Sequence, residues 1–239
     1  MGKLTDSSTA KIQNSINIDS YKDLYSTMDY DHEYPNTNLV RLEKWFLKTP
    51  GKIFDHGCGY GENLIFLTKR GYQVHGIDIS KELIDWVDMK CRIKQVPKTF
   101  FSLAVLDNSV KDFGQENSYD NVISLGVLQY LGGKEAAINC VEELVRVLKP
   151  GGKLITSIFA KENFLVSPGE KVGDEQWRFK GTEMDKDTDL DFTMYVPDSA
   201  ESYAAIFPEN CMVDEVGFWD NEYCGVKGKH HCALVTKNR

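Results

Sequence analysis

Three glycines, Gly57, Gly59 and Gly61, alternate with other residues between a short apolar run and a helix-like segment. The apolar run, Lys52–Asp55, predicts a strand, and Glu62–Arg70 predicts a helix followed by a glycine at the C-cap. A glycine-rich connection lets a ligand approach the backbone closely and directs free N–H groups towards it. The sequence therefore predicts a strand–loop–helix unit whose loop binds a ligand.

Strand-like and helix-like segments continue to alternate up to residue 159. Strands are predicted at YQVHGIDI, TFFSLAVL, YDNVISLG and KLITSIF, and helices at KELIDWVDMKCRI, which Ser80 can cap, and KEAAINCVEELVRVL. We expect KPGG to end the last of these helices in a tight turn. Such alternation implies an α/β fold with a Rossmann-like, doubly wound sheet that is mostly parallel.

The predicted organisation is one domain in three parts. Residues 1–50 form an N-terminal arm and cap segment with some helix, residues 51–159 the ligand-binding core, and residues 160–239 a lid insertion and C-terminal strands that complete the domain. The chain after Ala160 is polar without a clear period, so we expect an irregular lid over the sheet. SAESYAAIF then predicts a helix, and MVDEVGFWDNEY and HHCALVTKN the final strands, the last antiparallel.

Charge and composition narrow the expected partners. The 239 residues carry a net charge of -8 and no Lys/Arg cluster, so no nucleic-acid partner is expected. No apolar run is long enough to span a bilayer, and the N-terminus lacks a signal-like segment, so we expect no membrane partner. Six scattered cysteines without CxxC favour reduced thiols in the cytoplasm. The oligomeric state stays open.

The glycine spacing separates two classes of ligand. Dinucleotide sites use G-x-G-x-x-G, and counted from Gly57 the third glycine would fall at Glu62, whose charge would also repel a pyrophosphate. The ordered features FDHGCGYG, GIDIS, an aspartate ahead of SYDNVISLGVLQYL, and LKPGGKL instead resemble the class I S-adenosylmethionine (SAM)-dependent methyltransferases, in particular their small-molecule branch. The resemblance covers roughly Ile53 to Phe159.

The resemblance implies cofactor contacts at the carboxyl ends of the strands. Asp55 is expected to hold the methionine ammonium, and Asp78 to accept hydrogen bonds from both ribose hydroxyls. Ile79 would pack on the adenine, and Asp107 would accept its exocyclic amine. The residues expected to bind SAM, or its product S-adenosylhomocysteine (SAH), are Asp55, Gly57, Cys58, Gly59, Asp78, Ile79, Asp107, Asn108, Ser124, Leu125, Gly126, Gln129 and Tyr25.

Three residues are candidates for catalysis, because an oxygen or amine acceptor needs alignment and, in some cases, a base. Tyr130 follows the fourth strand, where related enzymes often carry histidine, and would face the methyl site or serve in packing. His230 and His231 begin the last strand, and alternation sends them to opposite faces. One of them reaches the substrate, or both are exposed at the rim.

Two segments could cover the site. The tyrosine-rich arm carries Tyr25, Tyr30 and Tyr34, which contact the cofactor carboxylate or the substrate, or else belong to a surface helix. In the lid insertion Arg178 holds an anionic substrate group or is simply solvated.

Other polar residues are given structural roles. We interpret His56 as a satisfied buried histidine and Asp120 as a structural residue at the far end of its strand. Cys224 and Cys232, with the two histidines between them, do not have a familiar zinc spacing, so no metal site is expected.

The leading hypothesis is a SAM-dependent methyltransferase acting on oxygen or nitrogen of a small-molecule acceptor, such as a metabolite, a natural-product precursor or a nucleotide-linked sugar. A nucleic-acid base methylase is disfavoured because SLGV, not N/D-P-P-Y, ends the fourth strand. The alternatives are a protein or RNA methyltransferase, a non-catalytic SAM-binding partner subunit, and a nicotinamide-dependent oxidoreductase.

Overall fold

The computed structural model describes residues 34–47, 51–105, 113–181, 190–220, 222–223 and 226–239. The predictions for Tyr25, Tyr30, Asp107, Asn108 and Cys224 lie outside these residues.

A seven-stranded sheet forms the centre of the molecule. Its strands are β1 (Lys52–His56), β2 (Gln73–Asp78), β3 (Phe101–Val105), β4 (Tyr119–Leu125), β5 (Leu148–Phe159), β9 (Cys211–Trp219) and β12 (His230–Lys237). They lie in the order β3-β2-β1-β4-β5-β12-β9. Strands β3, β2, β1, β4 and β5 are parallel, and β12 is antiparallel to both of its neighbours, β5 and β9. This confirms the Rossmann-like prediction.

Five α-helices accompany the sheet within the described residues. They are α1 (Thr37–Trp45), α2 (Glu62–Lys69), α3 (Lys81–Ile93), α4 (Lys134–Val147) and α5 (Ala200–Ala204). The N-cap of α3 is Ser80, whose Oγ accepts a hydrogen bond from the Leu83 amide at 3.2 Å, as the sequence predicts. None of the helices in the described ranges is long and apolar enough to cross a membrane.

Two hydrophobic clusters cover the two faces of the central sheet. One face carries Phe54, Val122 and Leu154 and packs against α4 and α5, while the other carries Ile53, Ile123 and Ile155 and packs against α1, α2 and α3. Strand order reverses at β1, which lies between β2 and β4. Ligands of open α/β sheets bind beyond the carboxyl ends of the strands at such a reversal. The fold therefore places the candidate site beside His56, where β1 ends.

The lid insertion is more regular than predicted. It contains an antiparallel sheet in the order β6-β7-β8, formed by β6 (Glu170–Gly173), β7 (Gln176–Gly181) and β8 (Leu190–Tyr195). The prediction of an irregular lid was therefore wrong. Strand β6 is mostly exposed, so its residues carry no apolar alternation from which a strand could be recognised.

The boundary between α4 and β5 also differs from the prediction. Strand β5 begins at Leu148, opposite Tyr119, and the register with β4 then shifts before Asn121. The KPGG segment therefore lies within an irregular start of the strand, with Gly151 at φ +72°. A separate hairpin, β10 (Glu222–Tyr223) with β11 (Val226–Lys227), lies between β9 and β12.

Candidate active site

The loop after β1 folds back onto the end of β2. The amides of Gly57 and Cys58 both donate to the Ile77 carbonyl, each at 2.9 Å, and the Gly61 amide donates to the Cys58 carbonyl at 2.9 Å. The Cys58 side chain is buried, and burial raises the pKa of its thiol well above the ordinary value. The loop is thus a tight turn between the carboxyl ends of two neighbouring strands.

The three alternating glycines meet different surroundings, although all have positive φ. A Cβ at Gly57 would lie 2.4 Å from Val127 Cγ2, and one at Gly61 would lie 2.6 Å from Val87 Cγ1. A Cβ at Gly59 would meet no described heavy atom within 4 Å. Packing against neighbouring elements therefore explains Gly57 and Gly61, whereas Gly59 borders open space that a ligand can fill.

Asp78, the last residue of β2, ties the loop to the next helix. Its Oδ2 accepts the Gly59 amide at 3.0 Å and its Oδ1 accepts the Ser80 amide at 3.0 Å. Burial raises the pKa of the Asp78 carboxyl, while these backbone N–H donors act in the opposite direction. The Ile79 amide acts in the same direction, and a carboxylate has about four lone-pair sites, so acceptor capacity remains beyond these donors. Asp78 can therefore accept ligand hydroxyls without releasing the loop.

Asp55 is a buried carboxyl group in a negative environment. It is 2% exposed, and its Oδ2 has no hydrogen-bond partner among the described residues. Burial, followed by the fields of Asp78 and Glu62, raises the pKa of Asp55 to about 8. A positive group placed beside Asp55 would satisfy the free oxygen and relieve this repulsion. A pyrophosphate placed there would meet three acidic side chains.

Lys90 supports the loop from α3. Its Nζ lies 2.8 Å from Glu62 Oε1 and 3.3 Å from the Tyr60 carbonyl, and both side chains of the ion pair are largely buried. This residue was not predicted from the sequence. A lysine in the last turn of a helix is ordinarily explained by its favourable interaction with the helix dipole. The residues around Lys90 in the sequence do not indicate that it contacts Glu62, 28 residues earlier in the chain.

The other predicted cofactor residues lie around the same strand ends. Ile79 and Leu125 are half-buried, and the Gly126 amide donates to Ser157 Oγ at 3.1 Å. Gln129 is fully buried, and its Nε2 donates to the Gly126 carbonyl at 2.8 Å. The structure brings these backbones together beside the loop. The role of Gln129 seen here is to hold the turn after β4.

The Ser124 side chain turns away from the loop. Its Oγ lies 2.9 Å from His56 Nδ1, in a buried pair on the sheet face that packs against α4. Burial lowers the pKa of His56 to about 4, so this histidine is neutral, as expected for a satisfied buried residue. Only the backbone of Ser124 can therefore serve the site. Asp120 accepts the Lys52 amide at 2.9 Å and pairs with Lys149, which agrees with a structural role.

Tyr130 and His230 both pack against Phe159, the last residue of β5. The Phe159 ring lies 6.0 Å from the Tyr130 ring and 5.1 Å from the His230 ring, between centroids. His230 Nδ1 lies 2.8 Å from the Gly228 carbonyl. Because a carbonyl only accepts, Nδ1 carries the proton and the lone pair is on Nε2. Burial lowers the pKa of His230 and favours the neutral ring.

His231 lies on the opposite face, as alternation predicts, but it is not exposed at the rim. Its ring packs 4.7 Å from that of Phe218 and 6.0 Å from that of Tyr203, and the side chain is buried. His230 is half-buried. The interpretation of an exposed histidine pair was therefore wrong, because β12 is covered on this face by α5. His231 is separated by the sheet from Tyr130 and His230.

Tyr34 and Arg178 do not line the described site. Tyr34 is 77% exposed, and the Arg178 side chain is exposed on β7. Within the described residues no group of three or more metal-ligating side chains is found.

The geometry fits a ligand with a cationic amino-acid portion and a ribose. Asp55 offers an unpaired oxygen to a cation, Asp78 offers spare acceptor capacity to hydroxyls, and Gly59 leaves room for close approach.

Residues 54–156 match the family model described as a methyltransferase domain. A putative methyltransferase, YqeM, of Bacillus subtilis is 30% identical over 134 residues, which is 54% of this chain and 52% of that protein. A probable tRNA methyltransferase 9B of Mus musculus is 32% identical over 144 residues, 56% of this chain and 29% of that protein. The chain thus spans about half or less of the length of these relatives.

Among solved structures, a SAM-dependent methyltransferase from Methanosarcina mazei superimposes with a TM-score of 0.67. The match covers 86% of this chain and 99% of that one, at 18% sequence identity. At this level of identity the comparison shows that the fold is shared.

Proposed function

We propose that this chain is a class I SAM-dependent methyltransferase and that it transfers a methyl group to an oxygen or nitrogen of a small-molecule acceptor. The match of residues 54–156 to the methyltransferase-domain model supports the family. The observation that carries the proposal is the pair of buried carboxyl groups beside the glycine loop, Asp55 with an unpaired oxygen and Asp78 bonded to Gly59. An ammonium and a ribose are the complementary groups, and SAM has both.

In this proposal Asp55 holds the ammonium of the cofactor, directly or through water, and becomes ionised when it does so. Asp78 accepts the ribose hydroxyls, and the backbone from Gly57 to Gly59 lines the methionine portion. Ile79 packs against the base, and Gly126 lies beneath the methionine chain. When bound, SAM would supply an electrophilic methyl carbon. The lone pair of the acceptor atom would form a bond to this carbon while the C–S bond breaks, which leaves SAH.

The acceptor side lies, in our proposal, around Tyr130, Phe159 and His230. The His230 ring is neutral with its lone pair on Nε2, so it can take the proton that an oxygen or amine acceptor releases. The Tyr130 hydroxyl can orient the acceptor. His231 is not assigned a chemical role, because the sheet separates it from these two residues.

A small acceptor is favoured over RNA by charge. The chain has a net charge of -8, and many of its described lysines and arginines pair with neighbouring carboxylates, as in Lys81–Asp85 and Lys134–Glu175. The scattered cysteines favour a reducing compartment, which we infer to be the cytoplasm. A tRNA acceptor is the second candidate, because probable tRNA methyltransferase 9B is among the relatives.

Calorimetry with SAH and with NAD tests the cofactor assignment. Saturable SAH binding without NAD binding supports it, whereas NAD binding without SAH binding contradicts it. Turnover of SAM by the isolated chain with fractionated small metabolites, compared with total tRNA, then tests the acceptor class. Methyl incorporation into tRNA alone contradicts the small-molecule proposal, and SAH binding without turnover of any acceptor favours the non-catalytic subunit.

A further inference from the structure

A cleft of about 510 Å³ opens beside the segment that follows β5. Its lining residues are Lys161, Glu162, Phe164, Ser167, Trp177 and Lys227. Pockets for small ligands have volumes in this range. None of these residues was assigned to the cofactor, so the cleft is a feature that the cofactor site leaves unused.

The cleft begins where β5 ends, two residues after Phe159 along the chain. The lining residues Lys161 and Glu162 directly follow Ala160, just after the carboxyl end of β5. The Ala160 amide donates to the Lys229 carbonyl at 3.1 Å, and the Phe164 amide to the Lys227 carbonyl at 2.8 Å. The cleft is therefore anchored to the segment that leads directly into His230.

Trp177 joins the lid wall to the same aromatic cluster. It packs on the cluster that contains Phe159, against which Tyr130 also packs. Its indole Nε1–H is buried without an acceptor among the described residues. Since a buried indole N–H usually finds a partner, this donor is available to a ligand or to water that enters with it.

The charge of the cleft is opposite to that of the chain. Lys161 and Lys227 lie in the lining, and neither forms an ion pair with another described residue. The one acidic lining residue, Glu162, is 3.3 Å from Lys229 Nζ, and the fields of Lys229 and Lys161 both help to lower its pKa. One carboxylate therefore balances three lysines, Lys161, Lys227 and Lys229. A local excess of positive charge in a chain of net charge -8 selects for an anionic ligand.

Two aromatic side chains give the cleft a preference for flat groups. Phe164 is 39% exposed and lies with Trp177 in the lining. An aromatic ring with an open face binds planar ligands by stacking. An exposed large aromatic side chain beside a net positive charge is the combination expected of a site for a planar anion.

We propose that this cleft binds the acceptor and that the acceptor is a planar small molecule bearing a carboxylate. This inference rests on the proposed function, because the cleft becomes an acceptor site only if SAM is the donor. The carboxylate pairs with Lys161 and Lys227, the ring stacks on Phe164 and Trp177, and the nucleophilic atom points towards Phe159 and His230.

The test uses the full chain saturated with SAH and ligand-observed NMR with matched pairs of compounds. Hydroxybenzoates and hydroxynaphthoates are compared with their neutral carboxamides, which keep the ring and lose the charge. We expect the carboxylates to bind about tenfold more tightly, the loss typical of a charge-assisted hydrogen bond. In a Lys161→Gln, Lys227→Gln double variant the preference should fall to about one.

Lys171→Gln is the matched control, because Lys171 lies in the lid, pairs with Asp198 and does not line the cleft. It should keep the preference of the unaltered chain. Equal binding of carboxylates and amides, no saturable binding of any compound, or a preference that survives in the double variant overturns the inference.

Calorimetry with SAH on the same samples separates this inference from the proposed function. If SAH binds and the carboxylates are not preferred, the acceptor class is wrong while the cofactor assignment stands. If SAH does not bind, the proposed function itself is contradicted. Displacement of bound hydroxybenzoate by tRNA would assign the cleft to a nucleic acid and also overturn the inference.

Discussion

The Asp78 carboxylate at the end of β2 accepts a hydrogen bond of 3.0 Å from the Gly59 amide in the neighbouring loop. The second carboxylate oxygen accepts the Ser80 amide at the start of α3. One side chain therefore connects the glycine loop, the second strand and the third helix. In the proposed function the same carboxylate also receives the ribose, so the shape of the loop and recognition of the cofactor depend on one residue.

Replacement of Asp78 should weaken SAH binding more than a loss of the ribose contact alone. Asp78→Ala removes the acceptor for two backbone amides and for the ribose, so we expect the affinity to fall by at least about a hundredfold. Calorimetry measures the change, and circular dichroism checks the fold. The control is Asp85→Ala, which removes an exposed carboxylate of α3 that pairs with Lys81. An affinity for SAH within a factor of about two of the unaltered chain would contradict the ribose role.

Asp55 should make SAH binding depend on pH. Its pKa is about 8 in the free protein against an ordinary value of 3.8, so Asp55 is largely protonated at neutral pH. A bound ammonium favours the ionised form, so binding near neutral pH should release a proton and strengthen as the pH rises towards about 8. Calorimetry in buffers with different ionisation enthalpies measures the proton release. Asp55→Asn should bind more weakly and lose this dependence, and unchanged proton release in that variant would contradict the assignment.

The same raised pKa should affect the stability of the free protein. Between pH 3.8 and about 8, Asp55 is protonated in the folded protein and ionised in the unfolded chain. The free energy of unfolding therefore decreases as the pH rises through this range. In Asp55→Asn the new side chain cannot ionise but has nearly the same shape as aspartate. We therefore expect the Tm of this variant to exceed that of the unaltered chain above about pH 8 and to approach it at lower pH. Parallel melting curves across the pH range would contradict the raised pKa.

Lys90→Met should destabilise the protein by about 3 kcal/mol, because it leaves the buried Glu62 carboxylate unpaired. The double variant Lys90→Met, Glu62→Gln removes both charges and should recover most of this loss. Urea unfolding of the unaltered chain, Lys90→Met, Glu62→Gln and the double variant gives the coupling energy. Strictly additive losses would show that the 2.8 Å contact between Lys90 and Glu62 contributes little.

Alanine at Gly59 and at Gly61 should have different effects. At Gly61 the new Cβ would lie 2.6 Å from Val87, so folding stability should fall. At Gly59 the Cβ meets open space, and only the positive φ is strained, at a cost of about 1 kcal/mol. Gly59→Ala should therefore keep the fold and lose SAH affinity. Thermal melts and calorimetry on both variants measure the two effects, and normal SAH affinity in folded Gly59→Ala would contradict close approach of a ligand there.

Turnover should distinguish the two adjacent histidines. His230→Gln removes the proposed base, so kcat should fall by about a hundredfold and lose its acidic pH limb. His231→Phe keeps an aromatic ring between Tyr203 and Phe218 and should leave kcat nearly unchanged. Tyr130→Phe tests whether the hydroxyl contributes beyond packing on Phe159. The assignment of His230 is wrong if its variant keeps the pH profile of the unaltered enzyme.

The sequence by itself determined the succession of strands and helices along the chain in the core, the Ser80 cap and the position of the glycine loop. These features depend on residues close together in the chain, through apolar periodicity, capping side chains and backbone freedom at glycine. Strand β6 was not predicted, because its residues are mostly exposed and show no alternation of apolar and polar side chains.

Only the tertiary structure decided which distant groups meet. It brought Asp78 and Glu62 near Asp55, placed Lys90 against Glu62, and covered His231 with Tyr203 and Phe218. The charge state of a side chain depends on the removal of water and on the fields of its neighbours in space. Those neighbours come from other strands and helices, so residue types and spacing predicted where the site lies, and the packing of the sheet set its electrostatics.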